Sequence, residues 1–121
     1  MEKIFEASVI SVGSKAEEMI GEANMIILFG EEAPNDLAEY CYKISNKNLI
    51  GTISPGGEIV IDGTHILITS VGDIVEKNLV SLGHITISMD GNTQKTLPGM
   101  LHVEKGIVTK IQNNTVIQIF S

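Results

Sequence analysis

Three histidines, His65, His84 and His102, are the side chains of this sequence best suited to chemistry near neutral pH. A neutral imidazole can accept a proton, attack an electrophile such as phosphorus, or bind a metal ion. Three imidazoles could also form a zinc site, but intervals of 19 and 18 residues between them match no local zinc motif. Each histidine therefore has to be judged by the element that carries it.

His84 has the most favourable setting, at the start of a predicted strand that runs to Asp90. Because side chains alternate between the two faces of a strand, His84, Thr86 and Ser88 would share one polar face. The Thr86 hydroxyl could then donate a hydrogen bond to an imidazole or to a phosphoryl oxygen, and Gly83 leaves a backbone N–H open to close approach. The alternative interpretation is an exposed histidine that stabilises a helix C-terminus.

The other two histidines have weaker settings. His102 would share a strand face with Glu104, and a carboxylate beside an imidazole fixes its tautomer and raises its basicity. The same pair is common on surface strands that have no function. His65 follows a hairpin turn and leads into an apolar run, which is typical of a structural histidine. The candidate catalytic residues are therefore His84 and His102, with Thr86 as a hydrogen-bond donor.

Composition indicates a single globular domain over residues 1–121, since 43% of the residues are hydrophobic and 19% are charged. Cys41 is the one cysteine, which excludes an intramolecular disulfide and suits a reducing cytosol. The acidic start of the chain does not resemble a signal peptide, and the aliphatic stretch Met25 to Phe29 is too short to span a bilayer. We therefore expect a soluble, cytoplasmic protein that is not embedded in a membrane.

Charge argues against nucleic-acid partners. The net charge is −7, and the eight basic residues are scattered rather than clustered, whereas binding to phosphate backbones requires clustered Lys and Arg. No cofactor or metal site is expected. The paired glycines of Ser54-Pro55-Gly56-Gly57 lack the lysine of a phosphate-binding loop.

Short apolar runs separated by turn residues predict a mainly β protein, either a closed or nearly closed barrel or a sandwich. Asp62-Gly63 predicts a tight hairpin, and no internal repeat is apparent. Two short helices are expected, one beginning at a Ser14–Glu17 capping box and one ending at Gly83. The predicted strands are Phe5 to Val12, Ile26 to Phe29, Tyr40 to Ser45, Leu49 to Ile53, Glu58 to Ile61, His65 to Val71, His84 to Asp90, Leu101 to Glu104, Ile107 to Ile111 and Thr115 to Phe120.

A series of short motifs carries a family resemblance through its order and spacing. The motifs are Glu31 to Tyr42, Gly63-Thr64-His65, Thr69 to Gly72, Asn78-Leu79, Leu82-Gly83-His84, Asp90-Gly91, Leu97-Pro98-Gly99 and His102-Val103. Together they resemble the glucitol/sorbitol-specific enzyme IIA family of the bacterial phosphoenolpyruvate-dependent sugar phosphotransferase system. The resemblance implies a small Greek-key β-barrel. It also implies a phosphohistidine carrier in sugar transport, with the histidine phosphocarrier protein and the IIB and IIC components of a membrane permease as partners.

One position departs from the family. A histidine thought to carry the phosphoryl group follows the Tyr-Cys-aromatic triplet in the family, but here Ile44 stands near that place and no histidine precedes His65. Two functions are therefore carried forward. The chain is either a phosphocarrier whose acceptor is His84 or His102, or a phosphorylation-incompetent docking or regulatory module. A barrel that binds a small ligand in an internal cavity is a third possibility.

Two surface features bear on partners. The acidic residues Glu31, Glu32, Asp36 and Glu39 could form a docking rim for a basic protein, although a solvated loop is the simpler interpretation. The oligomeric state stays open, but an edge strand such as Thr115 to Phe120 could pair between the subunits of a homo-oligomer.

Overall fold

Eight strands close into a barrel in the computed structural model, which describes residues 1–94, 96–105 and 110–121. Around the barrel the order is β1-β3-β2-β6-β7-β5-β4-β8. The elements are β1 (Lys3–Val12), α1 (Ala16–Ala23), β2 (Met25–Phe29), α2 (Asn35–Ala38), β3 (Tyr42–Ile44), β4 (Glu58–Ile61), β5 (Thr64–Val71), α3 (Val75–Leu82), β6 (Ile85–Ser88), β7 (Met100–Val103) and β8 (Val116–Phe120). The prediction of a mainly β, closed barrel is confirmed.

The interior of the barrel is filled by the apolar face of each strand. Alternation is clearest in β5, where His65 and Leu67 are exposed while Ile66 and Ile68 are buried. Burying a large aliphatic side chain contributes about 1.5–3 kcal/mol, so this layer supplies most of the stability of the fold. The largest fully buried side chains are Tyr42, Ile4, Leu28, Ile44, Ile59, Ile61, Ile66, Ile68, Leu79, Ile85, Leu101 and Ile117.

The barrel consists of two halves that repeat one topology. In the first half β3 pairs antiparallel with β1 and parallel with β2, and in the second half β7 pairs in the same way with β5 and β6. Each residue of the first half corresponds to the residue 59 positions later in the second half. Val9 lies opposite Ile44, for example, and Ile68 lies opposite Val103. A register irregularity in β1 recurs at the same place in β5. The expectation of no internal repeat is therefore wrong.

The two halves interlock by exchanging strands. β4 pairs with β5 of the second half, and β8 pairs with β1 of the first, while β2 meets β6 and β4 meets β8 across the pseudo-twofold axis. Little of this is visible in the sequence, where the clearest shared run is Ser-Val-Gly at 11–13 and again at 70–72. Because β8 is paired on both sides, it offers no free edge, and the expected strand pairing between subunits at Thr115 to Phe120 is wrong.

Turn chemistry accounts for most of the element boundaries. Asp62 and Gly63 have φ angles of 45° and 83°, as the predicted hairpin between β4 and β5 requires, and Gly83 ends α3 with a φ of 70°. The capping box at α1 does not form, since no side chain caps this helix. Backbone groups act instead: the Lys15 N–H donates to the Glu39 carbonyl, 2.7 Å away.

One predicted strand is wrong, and another lies mostly outside the described residues. Residues Leu49 to Ile53 form no strand, and their backbone groups bond elsewhere: the Ile50 N–H donates to the Ile4 carbonyl and the Ile53 N–H donates to the Glu76 carboxylate. The predicted strand Ile107 to Ile111 lies mostly outside the described residues. Apolar residues in sequence alone could not separate an irregular, mostly exposed segment from a strand.

Two glycines provide a matched test of the packing. A Cβ on Gly72 would lie 2.2 Å from the Pro98 carbonyl oxygen, so we expect Gly72→Ala to lower the free energy of unfolding by about 2–3 kcal/mol. Gly21, within α1, has open space around its Cβ position, and Gly21→Ala should raise stability by about 0.5–1 kcal/mol. Chemical denaturation of both variants measures the difference. Equal effects would contradict the close approach at Gly72.

Candidate functional site

His84 lines a cavity of ≈ 320 Å³ on the outer face of β2 and β6, between α1 and the segment that follows α2. Pairing of β2 with β6 brings two of its lining residues together, because Ile27 of β2 lies opposite Thr86 of β6. Its walls are apolar apart from a few polar atoms, which is the usual character of a binding site. The lining residues are Met19, Ile27, Phe29, Leu37, Tyr40, Cys41, His84 and Thr86.

The imidazole of His84 is held by stacking. Its ring lies 4.8 Å from the ring of Phe29, centroid to centroid, with an angle of 28° between the planes. Partial burial lowers the pKa of His84 below its ordinary value of 6.5, because the charged imidazolium is poorly solvated there. At neutral pH the ring is therefore uncharged, which is the form that can act as a nucleophile.

Thr86 lies in the same cavity, as the alternation along β6 predicts. Within the described part of the chain, neither ring nitrogen of His84 has a hydrogen-bond partner, and Thr86 does not donate to the ring. Both nitrogens are thus available for chemistry, and the orientation of the ring comes from Phe29 rather than from a hydrogen bond. Phe29 was missed as a site residue because the sequence does not reveal which strand pairs with β2.

A second cavity of ≈ 380 Å³ adjoins the first through Phe29. Glu31 and Glu32 of the predicted acidic rim lie in its lining, and Lys47 lies opposite with its Nζ donating to the Ser81 carbonyl at 3.0 Å. The two cavities share Phe29 as a lining residue, and together they are called the groove beside His84; its far end carries two carboxylates and one ammonium group. The lining residues are Phe29, Gly30, Glu31, Glu32, Pro34, Ile44, Ser45, Asn46, Lys47, Ser81 and Leu82.

His102 is placed very differently, with 5% of its surface exposed. The Asp90 carboxylate accepts a hydrogen bond from Nδ1 at 2.8 Å, and the Thr96 hydroxyl contacts Nε2. The expected partner Glu104 instead accepts a hydrogen bond from the backbone N–H of Leu67. Both nitrogens of His102 are therefore engaged, and the ring joins the segment after β6 to β7.

The pKa of Asp90 follows from this network. Partial burial raises it, but hydrogen bonds from the Asn92 backbone N–H and from the His102 ring outweigh that effect, so the pKa lies below 3.8. The carboxylate of Asp90 is thus ionised at neutral pH and anchors the His102 ring.

His65 projects into solvent from the hairpin between β4 and β5. Its Nδ1 lies 3.0 Å from the Glu58 carboxylate across the ladder, and 61% of its side chain is exposed. His65 lines neither of the two cavities described above. The described residues include no group of three or more His, Cys, Asp or Glu side chains that could hold a metal ion, so the three histidines do not converge.

Ile44, near the position of the family histidine, faces the barrel core. It is 1% exposed and packs among the residues of the main apolar cluster, and its partner in β1 is the buried Val9. Cys41, three residues earlier, is also buried; burial raises the pKa of its thiol, which donates to the Leu37 carbonyl. The thiol is thus protonated and unreactive at neutral pH.

These observations define a class of protein: a small closed barrel that presents an uncharged imidazole, without a hydrogen bond to any described residue, in a mostly apolar groove on its outer surface. The part of the chain that the structure describes contains no helix long and apolar enough to cross a membrane.

Comparison with known proteins gives the family. The sequence matches the family described as PTS system glucitol/sorbitol-specific IIA component over residues 4–118. It is 31% identical to the PTS system glucitol/sorbitol-specific EIIA component of Shigella flexneri and to that of Escherichia coli (strain K12), over all of this chain and 98% of each relative. The chain belongs to the glucitol/sorbitol-specific IIA family of the sugar phosphotransferase system.

A solved structure supports the same assignment. The crystal structure of a PTS system IIA component from Enterococcus faecalis V583 superimposes with a TM-score of 0.83 and 26% sequence identity, covering 97% of this chain and all of the other. The resemblance that the short motifs carry is therefore confirmed along the whole chain.

Proposed function

We propose that this chain is a phosphocarrier in which His84 accepts a phosphoryl group from the histidine phosphocarrier protein and passes it to a IIB component of a sugar permease. The observation that carries the proposal is the state of His84: an uncharged ring that stacks on Phe29 in the groove and whose two nitrogens have no hydrogen-bond partner among the described residues. Membership of the family supports the pathway.

The proposed step is a transfer between two imidazoles. A neutral nitrogen of His84 attacks phosphorus, the N–P bond to the donor histidine breaks, and its electron pair returns to the donor ring. The proton on the other nitrogen of His84 is then shed to solvent, while the donor ring gains one, so charge and atoms balance. Such a transfer depends mainly on alignment and on stabilising the charge of the phosphoryl group.

His102 and His65 are weaker acceptors for physical reasons. Phosphorylating His102 would require its 5%-exposed ring to become accessible and to break its contact with Asp90 or with Thr96, depending on which nitrogen attacks. His65 is accessible, but it lies outside both cavities and its Nδ1 is paired with the Glu58 carboxylate, which would repel an incoming phosphoryl group.

The alternative function is a docking or regulatory module that is never phosphorylated. The observation that favours it is Ile44, which leaves the chain without the family's histidine. In such a module the groove would serve docking alone.

A phosphorylation assay separates the two functions. The purified chain is incubated with phosphoenolpyruvate, enzyme I and the histidine phosphocarrier protein, and its intact mass is measured under alkaline conditions. We expect a gain of one phosphoryl group that is labile to acid. A folded chain with no gain in mass at any donor concentration would establish the docking module instead.

The pH dependence of this reaction reports on the burial of His84. Because the pKa of His84 lies below 6.5, the ring is still mostly neutral at pH 6.5, and the rate of phosphoryl acceptance should remain close to its value at pH 7.5. Below the pKa the rate should fall about tenfold for each pH unit. Rapid-quench measurements from pH 4.5 to 8, with the donor already phosphorylated, give the profile. An inflection above pH 6.5 would contradict a desolvated ring.

The lowered pKa of His84 also makes the free energy of unfolding depend on pH. Between the lowered pKa and 6.5 the unfolded chain binds more protons than the folded chain, so the free energy of unfolding decreases as the pH falls through that window. Removing the imidazole should remove this dependence.

A further inference from the structure

We infer that Lys15 is the charge-neutralising residue of the His84 site and contacts the phosphoryl group once it is on the imidazole. The inference rests on His84 as the phosphoryl-accepting residue of the proposed function. It assigns a binding role to a side chain that lies outside the motifs of the family resemblance.

Lys15 contacts a residue of the His84 cavity wall. Its Nζ lies 5.6 Å from the centroid of the Tyr40 ring, and Tyr40 forms part of the cavity wall together with His84. The backbone holds this arrangement, since the Lys15 N–H donates to the Glu39 carbonyl. Gly13 lets the two segments approach, because a Cβ there would lie 2.3 Å from the Ala38 carbonyl oxygen.

The Lys15 ammonium group could exchange its present partner, Glu39, for an anion of higher charge. Nζ of Lys15 is paired with the Glu39 carboxylate at 3.5 Å, and the two side chains are 48% and 42% exposed. An ion pair of this kind contributes little, so exchanging one partner for a doubly charged phosphoryl group costs little. Electrostatic interactions with Tyr40 and with the Glu39 carboxylate raise the pKa of Lys15, so the side chain is a full cation at neutral pH.

A phosphoryl group at this site would need such a cation. Glu39 is paired with Lys15, Glu31 and Glu32 line the adjoining cavity, and the chain carries a net charge of −7. Added phosphoryl charge would be repelled unless a positive group lies close to it. Lys47 lines the adjoining cavity, where its Nζ donates to the Ser81 carbonyl, whereas Nζ of Lys15 lies over the ring of Tyr40 in the wall of the His84 cavity itself.

The pseudo-twofold axis supplies an internal comparison. At the interval of 59 residues, His84 corresponds to Met25 and Lys15 corresponds to Ile74. The imidazole and the cation therefore occur together on one side of the axis, and both are absent from the equivalent positions on the other side.

The test uses potassium phosphoramidate, a small donor that needs no partner protein. The His84 imidazole attacks phosphorus, the N–P bond of phosphoramidate breaks, and ammonia leaves with the proton that the ring gives up. His65→Asn serves as the background, so that the exposed hairpin histidine is not labelled. Labelling at His84 is followed by peptide mass spectrometry, and the ionisation of the phosphoryl group is followed by ³¹P NMR against pH.

We expect Lys15→Gln to slow labelling of His84 about tenfold and to raise the second pKa of the phosphoryl group. Lys15→Arg should retain most of the wild-type rate. Lys3→Gln is the matched control, because Lys3 forms a similar ion pair with Glu6, with side chains 49% and 47% exposed, away from the cavity. Glu39→Gln, which frees the cation, should speed labelling a few-fold.

Each outcome decides the inference. Equal labelling rates and equal ³¹P titrations for Lys15→Gln and Lys3→Gln would overturn it, as would failure of the wild-type chain to be labelled at His84. A clear Lys15 effect with phosphoramidate, but no phosphorylation by the phosphocarrier protein, would sustain the anion site and overturn only the proposed function.

Discussion

Replacing His84 by asparagine is expected to abolish phosphorylation of the chain by the histidine phosphocarrier protein, with a loss in rate of at least on the order of a thousandfold. Asparagine keeps a polar side chain at the cavity wall but offers no nucleophilic nitrogen. The measurement is the rate of mass gain with phosphorylated donor in excess, together with circular dichroism to show that the barrel is intact. Since the ring stacks on one face of Phe29 and has no hydrogen bond within the described residues, the substitution should leave stability nearly unchanged at neutral pH.

The other histidines provide the controls. His65→Asn should be phosphorylated at the wild-type rate, because His65 lies on the exposed hairpin. His102→Asn removes a buried ring that bridges Asp90 and Thr96, so it should destabilise the barrel by about 2–3 kcal/mol while its folded fraction is still phosphorylated. Wild-type phosphorylation of His84→Asn would refute the site assignment, and loss confined to His102→Asn would move the acceptor to His102.

Restoring a histidine at position 44 is expected to weaken the protein and to create no phosphorylation site. Ile44 is 1% exposed in the barrel core, so Ile44→His exchanges a packed aliphatic group for a polar ring without a partner. Lost burial and the unpaired nitrogen together should lower the free energy of unfolding by about 3–5 kcal/mol. The double variant Ile44→His/His84→Asn should therefore gain no phosphoryl group when folded.

Ile50→His is the matched control, because Ile50 is 76% exposed and the change should alter stability by less than about 0.5 kcal/mol. Denaturant unfolding of both variants gives the stability difference. A stable Ile44→His/His84→Asn protein that is phosphorylated at position 44 would show that a donor can reach this position. It would contradict the prediction that a histidine there is buried in the core.

The sequence was informative wherever local chemistry decides structure. Asp62-Gly63 predicted the hairpin through its positive φ angles, Gly83 predicted the end of α3, and alternation along β6 placed His84 and Thr86 on one face. The choice of His84 as the leading candidate depended only on this local pattern, and the structure places its ring in a cavity.

Long-range pairing could not be obtained in the same way. The Phe29 ring contacts His84 because β2 lies beside β6, and the partner of His102 is Asp90 because the segment after β6 folds back over β7. Such contacts depend on which strands meet, and one apolar strand predicts its neighbour poorly. The prediction of a strand at Leu49 to Ile53 was wrong for a related reason. The backbone N–H groups of this segment donate to the Ile4 carbonyl and to the Glu76 carboxylate rather than to a neighbouring strand.

The exchange of strands between the two halves has a consequence for how the chain folds. β4 finds its partners in β5 and β8, and β1 finds one of its partners in β8, so neither half can complete its own sheet. Ala7 lies opposite Ile117, across nearly the whole length of the chain. Loop-closure entropy makes contacts of such high sequence separation slow to form. The first half emerging from a ribosome must therefore wait, with apolar strand faces uncovered, until β8 arrives to close the barrel.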